Sequence, residues 1–240
     1  MDNKKNFIDR MAQIDIILEK EKITQFEQFM DYMILWNDRV RLTSITEEDE
    51  IINKHFIDSL SVLKTNKFKD NIKILDLGTG GGFPGIPLKF YNKTFDLTML
   101  DSRLKKIEYL ENVIEEFNLL NTIAIHGRAE DYGNDSTYRE KYDIVVSRAV
   151  AELSILAEFC LPFVKINGYF IAMKASNIEV ELDEAKNAIN ILGGQIESVI
   201  KFILPETDFE RSLLVIKKIK KTPKVYPRSA GKPKKKPLKG

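Results

Sequence analysis

Between Ile72 and Pro87 the chain reads IKILDLGTGGGFPGIP, and no other stretch restricts the fold as strongly. Ile72, Ile74, Leu75 and Leu77 form a short apolar run, rich in β-branched residues, of the kind that makes a buried strand. Glycines at 78, 80, 81, 82 and 85 then break it. Pro84 stands where a fixed φ and an absent N–H suit a first helical turn, and Ile86, Leu88 and Phe90 follow. The predicted unit is strand, tight turn and helix N-terminus. Such a unit turns backbone N–H groups and the positive end of a helix dipole toward a ligand, because glycine lacks the Cβ that would hold the ligand away. Close packing of a helix on a sheet also requires glycines, so the turn alone leaves both readings open.

Spacing narrows the ligand. A dinucleotide fingerprint GxGxxG begun at Gly78 needs glycine at the position of Phe83, so that pattern fails and an NAD domain is the weaker reading. The spacing that fits is Asp76-x-Gly78-x-Gly80-x-Gly82. An acid inside the strand, two residues before the first glycine, resembles the first motif of S-adenosylmethionine-dependent methyltransferases with a Rossmann-like fold.

The remaining pattern extends this unit. Phe7, Met11, Ile14 and Leu18 recur at helical spacing; Thr24 and Glu27 resemble a capping box ahead of Phe26, Phe29, Met30, Met33 and Ile34. A third helix is predicted from Thr46 through Ile51, Ile52, Phe56 and Leu60, so residues 1–66 form an N-terminal helical cap. His55 on that helix, with Asp58 three residues on, is read as a packed or surface histidine without metal-ligand company. Further strands are predicted at Phe95–Asp101, Thr122–His126, Tyr142–Val146 and Gly168–Lys174. Helices over Arg103–Phe117, Glu152–Val164 and Ile178–Leu192 separate them. Gln195–Leu204 and Arg211–Ile219 are joined by a turn too short for a parallel crossover and should pair antiparallel. The expected architecture is α/β: a seven-stranded sheet with an antiparallel last hairpin, over residues 67–220, as in class I methyltransferases.

Three strand ends are site candidates. Asp101 closes the second strand about twenty residues after the glycines, where an acid can accept from ribose hydroxyls or merely shape a turn. Gly127-Arg128-Ala129-Glu130 follows the third strand, where an adenine edge is expected; His126 there is read as an ordinary strand-end residue. Arg148 follows the fourth, at the carboxyl edge where open parallel sheets bind ligands, or else pairs with a structural acid.

Charge is unevenly spread. The first 210 residues carry 25 basic and 36 acidic side chains, whereas residues 211–240 carry twelve basic and none acidic. Residues 221–240 are therefore expected to be a basic tail, either for polyanions or for solubility. The lone Cys160 excludes an internal disulfide and, in its apolar setting, suits a core position. No apolar run has membrane length and no signal core opens the chain, so a cytoplasmic protein, with neither membrane nor metal partner and monomeric, is expected.

The missing motifs limit the chemistry. Amino-group methylation of adenine usually goes with Asn/Asp-Pro-Pro-Tyr after the fourth strand, where this chain has Ser147-Arg148-Ala149-Val150. Carbon-5 methylation of pyrimidines needs a thiolate nucleophile, and Cys160 lies in an apolar helix. A ring nitrogen with a free lone pair needs neither device, only alignment and fixed dipoles.

Five ordered blocks carry a specific resemblance: LDLGTGGGFPGIPL, the DS-x-x-KK of Asp101, Ser102, Lys105 and Lys106, GRAE, SRAVAEL, and YPRSAGKPKKKPL. Together with LTSI at 42–45 and HFIDSL at 55–60, they are similar to the bacterial small-subunit ribosomal RNA guanine-N7 methyltransferases, the RsmG or GidB family. The resemblance implies a guanine of 16S ribosomal RNA, alone or in the small subunit, as substrate and S-adenosyl-L-methionine as donor. It places donor contacts on Gly78, Phe83, Ala129, Glu130 and Arg148, with Gly80 and Asp101 added from the glycine turn and strand geometry. Arg148 and Arg211 are the candidates for a catalytic role. Guanine N7 lies in the deep major groove of A-form RNA, so the target must be unpaired or displaced. The tail, Arg211 and the Lys105-Lys106 pair are expected to hold phosphates while the base enters between Phe83 and Arg148. A non-catalytic ribosome-assembly factor with a vestigial pocket, or a methyltransferase of another RNA, is the alternative.

Overall fold

Adjacent strand residues face opposite sides of a sheet, and here they are apolar on both, so both faces must be covered. A computed structural model describes residues 2–148, 151–175 and 178–238. Its sheet has seven strands: β1 Lys73–Leu77, β2 Asp96–Asp101, β3 Thr122–His126, β4 Tyr142–Ser147, β5 Val164–Ala175, β6 Gly194–Ile203 and β7 Glu210–Lys218. Their order is β3-β2-β1-β4-β5-β7-β6. Pairing is parallel through β5, then antiparallel for β5–β7 and β7–β6. The order reverses between β1 and β4, and a crevice opens there beyond the carboxyl ends of the strands.

The helices are α1 Asp2–Gln13, α2 Lys20–Val40, α3 Glu48–Ile51, α4 Asp58–Leu60, α5 Gly85–Tyr91, α6 Leu104–Glu116, α7 Ala129–Tyr132, α8 Leu153–Cys160, α9 Glu179–Ile191 and α10 Lys232–Lys235. Ile74, Val146, Ile171 and Leu213 join α1, α2, α5 and α6 in one core, while Leu75, Val145, Phe170 and Leu214 join α8 and α9 in the other. The cap is continuous with the first core. Phe26 and Phe29 meet Phe90 edge-on at 5.4 Å, and Phe29 reaches Phe83 and Phe117 at 5.9 Å.

Two expectations are corrected. The third cap helix is not one α-helix from Thr46: α3 passes into a π-helical segment, Ile52–Ile57, before α4 and a 3₁₀ turn at Ser61–Thr65. The Thr24 capping box does not form, since α2 already begins at Lys20.

Residues 221–238 do not hang free. Thr222 N–H donates to Glu140 Oε1 and its hydroxyl to Leu192 O, at 2.9 and 2.7 Å. Arg139 donates to the carbonyls of Thr222, Pro223 and Tyr226. Arg228 meets Glu158 of α8 with a fork, Nε to Oε1 at 2.9 Å and Nη2 to Oε2 at 2.6 Å, and Glu158 is fully buried. Removing the partner of a buried carboxylate strands a charge that water cannot reach. Arg228→Ala should therefore cost on the order of 3 kcal/mol, and Arg228→Lys should recover only part of it because an ammonium cannot form the fork. Urea unfolding of the three proteins checks this; an unchanged midpoint for Arg228→Ala would refute it.

Candidate functional site

The glycine turn is fixed by two carboxylates. At the end of β1, Gly78 N–H donates to Leu100 O at 2.8 Å, holding the turn against β2. Asp101 Oδ2 accepts from Gly80 N–H and Oδ1 from Arg103 N–H, both at 2.9 Å. Asp101 therefore shapes the turn, and with one such bond on each oxygen it retains further acceptor capacity. Behind the turn, Asp76 is fully buried, and its Oδ2 accepts from Thr79 Oγ1 at 2.7 Å and from Gly85 N–H at 2.8 Å. Its Oδ1 has no partner, and burial pushes the carboxyl up to about 6.

The glycines divide between packing and opening. A Cβ on Gly85 would stand 2.9 Å from Asp76 Oδ2, and one on Gly82 2.6 Å from Ile86 Cγ1, so these two permit close packing of α5. Gly80, at φ +60°, would meet only Lys106 Nζ at 3.7 Å and Gly78 O at 4.0 Å. Its bare side opens on a cavity of about 880 Å³ beyond the carboxyl ends of β1, β2 and β4.

That cavity brings together Gly78, Gly80, Asp101, Ala129, Glu130 and Arg148. Ile155, Leu156 and Phe159 of α8 supply an apolar wall, and Lys106 a cation whose proton affinity burial lowers. Phe83 does not line it. Its buried ring stacks on His55, with centroids 4.6 Å apart and planes at 13°. The Arg148 guanidinium lies over the same ring, 5.1 Å from its centroid, so no base fits between Phe83 and Arg148 as the sequence suggested.

Arg148 is instead held toward the cap. Nη1 donates to Lys54 O at 2.9 Å and to Asp58 Oδ2 at 3.2 Å, and Nη2 approaches His55 Nδ1 at 3.4 Å. Arg211 Nε donates to the other oxygen, Asp58 Oδ1, at 2.9 Å. One buried carboxylate therefore holds both candidate arginines. Arg211 lies outside the cavity lining, at the start of β7. His55 Nε2 pairs with Thr43 Oγ1 at 2.8 Å. A guanidinium can only donate, which assigns the histidine proton to Nε2; burial and then Arg148 lower its pKa to about 3, leaving the ring neutral.

The other candidates separate. Lys105 is exposed while Lys106 faces the cavity, so the pair does not act as one. His126 pairs with Ser102 O at 3.1 Å, as a strand-end residue does. Cys160 is fully buried and its thiol is pushed up by burial, so no thiolate is available. Ala149 and Val150 of the SRAVAEL block lie outside the described residues. The cavity lining also includes Gly231 and Lys234, which the sequence reading assigned only to a tail.

The sheet order, reversed final hairpin and acidic glycine turn define a class I S-adenosylmethionine-dependent methyltransferase. Solved structures agree on the fold. M. jannaschii TYW2 in complex with AdoMet matches with a TM-score of 0.53 at 18% identity, covering 68% of this chain and 77% of that one. A SAM dependent methyltransferase from Aquifex aeolicus matches with 0.53 at 15%, covering 73% and 96%. The family model described as GidB, rRNA small subunit methyltransferase G, matches residues 22–212. Proteins named ribosomal RNA small subunit methyltransferase G are 48% identical in Lachnoclostridium phytofermentans, over 99% of this chain and 98% of the relative, and 44% identical in Alkaliphilus metalliredigens, over the full length of both. The chain belongs to this GidB family of small-subunit rRNA methyltransferases.

The Asp76 carboxyl gives a pH signature. Its folded pKa, about 6, exceeds the ordinary 3.8, so between these values the folded state holds the extra proton. Stability must then rise as pH falls through about 6, since unfolding releases that proton. Asp76→Asn removes the effect. Comparing unfolding free energies at pH 7 and pH 5, the wild type should gain relative to the variant on acidification; equal changes would refute the assignment.

Proposed function

We propose that the protein transfers a methyl group from S-adenosyl-L-methionine to N7 of a guanine in 16S ribosomal RNA, acting as a monomer in the bacterial cytoplasm. The supporting observation is the cavity at the β1/β4 switch point, opened by Gly80 and flanked by Asp101 and Glu130 in a chain of this family. Among the described residues no helix is long and apolar enough to cross a membrane.

The residues present suit such a donor. Gly80 leaves room for backbone approach beside Gly78, Asp101 and Glu130 offer acceptor oxygens for hydroxyl or amino groups, and the α8 wall suits a flat apolar ring. The donor, when bound, supplies a methyl carbon made electrophilic by a sulfonium. Guanine N7 carries its own lone pair, so the protein has only to orient it and exclude water. That requirement matches a cavity whose lining includes neither a histidine nor a cysteine among the described residues.

Arg148 is read as the positioning group at the cap end of the cavity. It is tied to Asp58 and only partly exposed, so its place in the cavity lining is fixed. Exposed Lys105, Lys232, Lys235 and Lys236 supply cations for phosphates around the cavity.

The decisive experiment incubates the protein with labelled S-adenosylmethionine and ribosomal RNA from cells lacking the enzyme, then maps the modified base. Label on guanine N7 of 16S RNA is expected; label on protein, on another atom or nowhere rejects the reading. Arg148→Ala should lower transfer on the order of a hundredfold with the far-ultraviolet circular dichroism unchanged, and full turnover would remove Arg148 from the site. Replacing Lys232, Lys235 and Lys236 together by alanine should reduce the slope of log affinity against log salt by about 2; an unchanged slope would take these lysines off the RNA path.

A further inference from the structure

The final residues of the chain do more than pack. After Arg228, which Glu158 fixes on α8, the backbone turns at Gly231 and continues through α10, with Gly231 and Lys234 in the cavity lining. Gly231 N–H donates to Glu130 Oε1 at 3.2 Å, and Glu130 is itself buried. This contact leaves Glu130 Oε2 for a ligand. Gly231 has φ +82°, a conformation that glycine adopts without strain. A Cβ added there would meet nothing within 4 Å, so its side of the backbone is as open as that of Gly80.

Three further contacts hold the segment in place. Asn134 Nδ2 donates both to Glu130 O at 2.9 Å and to Pro227 O at 3.0 Å, tying the segment to α7. Pro233 is buried, and Leu238 packs on the core that contains Ile155 and Phe159 of α8. Those two α8 residues also line the cavity, so the same helix supports the segment and the ligand space beneath it. A stretch kept only for solubility would not be secured at both ends by buried groups.

We propose that residues 229–236 are a strap forming one wall of the donor-binding pocket, with Gly231 and Lys234 as donor-contacting residues beside Glu130. The proposal rests on the reading of this cavity as the S-adenosylmethionine site. Lys234 brings an ammonium to a rim that also holds Asp101, Glu130 and Glu152. A purine edge or a carboxylate of the donor offers it acceptors, and the strap closes a cavity that would otherwise lie open to water on that side. Reciprocity then requires that a bound donor stabilise the seated strap as much as the strap stabilises the donor.

The test uses both directions. A chain ended after Ser229 keeps Thr222, Pro227 and Arg228, and hence every contact to Glu140, Asn134 and Glu158. Calorimetry should find its affinity for S-adenosylmethionine at least about tenfold weaker than that of the full chain, in a protein whose far-ultraviolet circular dichroism shows it still folded at the temperature of the titration. Equal affinity in a folded truncated protein would overturn the proposal. In the full chain, saturating donor should slow tryptic cleavage after Lys234 and Lys235 several-fold while leaving cleavage after exposed Lys224 unchanged. Equal rates with and without donor would overturn it as well, and this measurement stands even if the truncated chain fails to fold. A full chain that gives no heat with S-adenosylmethionine would instead refute the donor reading of the cavity.

Discussion

The bond from Gly80 N–H to Asp101 Oδ2 joins the ends of two neighbouring strands, and the site's shape follows from it. Apart from Thr79, the turn after β1 up to Gly82 has no side chains of its own to fix its course, so it must be held from outside. Asp101 does this from β2, Leu100 O from the adjacent position, and buried Asp76 from beneath. Three acceptors thus replace the packing that side chains would have given. A loop so held can present bare backbone to a ligand without the entropy cost of ordering it at binding.

Asp58 has a comparable part on the cap side. It is buried at the junction of the cap with β4 and β7 and takes one arginine on each oxygen. The π-helical segment just before it matters geometrically. Within it, Lys54 O accepts from Arg148 and His55 stacks on Phe83, in keeping with the tendency of such segments to occur at functional sites. Through these two guanidinium groups the one carboxylate ties the cap to the ends of β4 and β7.

The fold was largely legible because apolar periodicity and glycine placement are local signals. β3, read from Thr122 to His126, has those bounds in the structure, and the hairpin order followed from one short turn. A residue's place at the end of its strand did show which side chains would line the cavity, as for Gly80, Asp101 and Arg148. The site was not legible where contacts join distant positions. Nothing local marks Asp58 as the partner of both Arg148 and Arg211, 90 and 153 residues away. Phe83 lies in the right turn, but the cap draws its ring into an aromatic seam with Phe29, Phe56 and His55.

The C-terminal segment misled for the same reason. A count of charges describes residues 211–240 as a uniformly basic stretch, yet the structure gives its cations different environments. Lys218 is buried, donating to Leu161 O and Thr222 Oγ1, and burial lowers its pKa to about 8. Arg211 and Arg228 are spent on buried carboxylates, and Lys234 reaches the cavity rim. What remains for a polyanion is a smaller set on the outer side of the strap. Composition reports the total charge of a segment; the buried acids on other elements decide how much of it is left for solvent or a ligand.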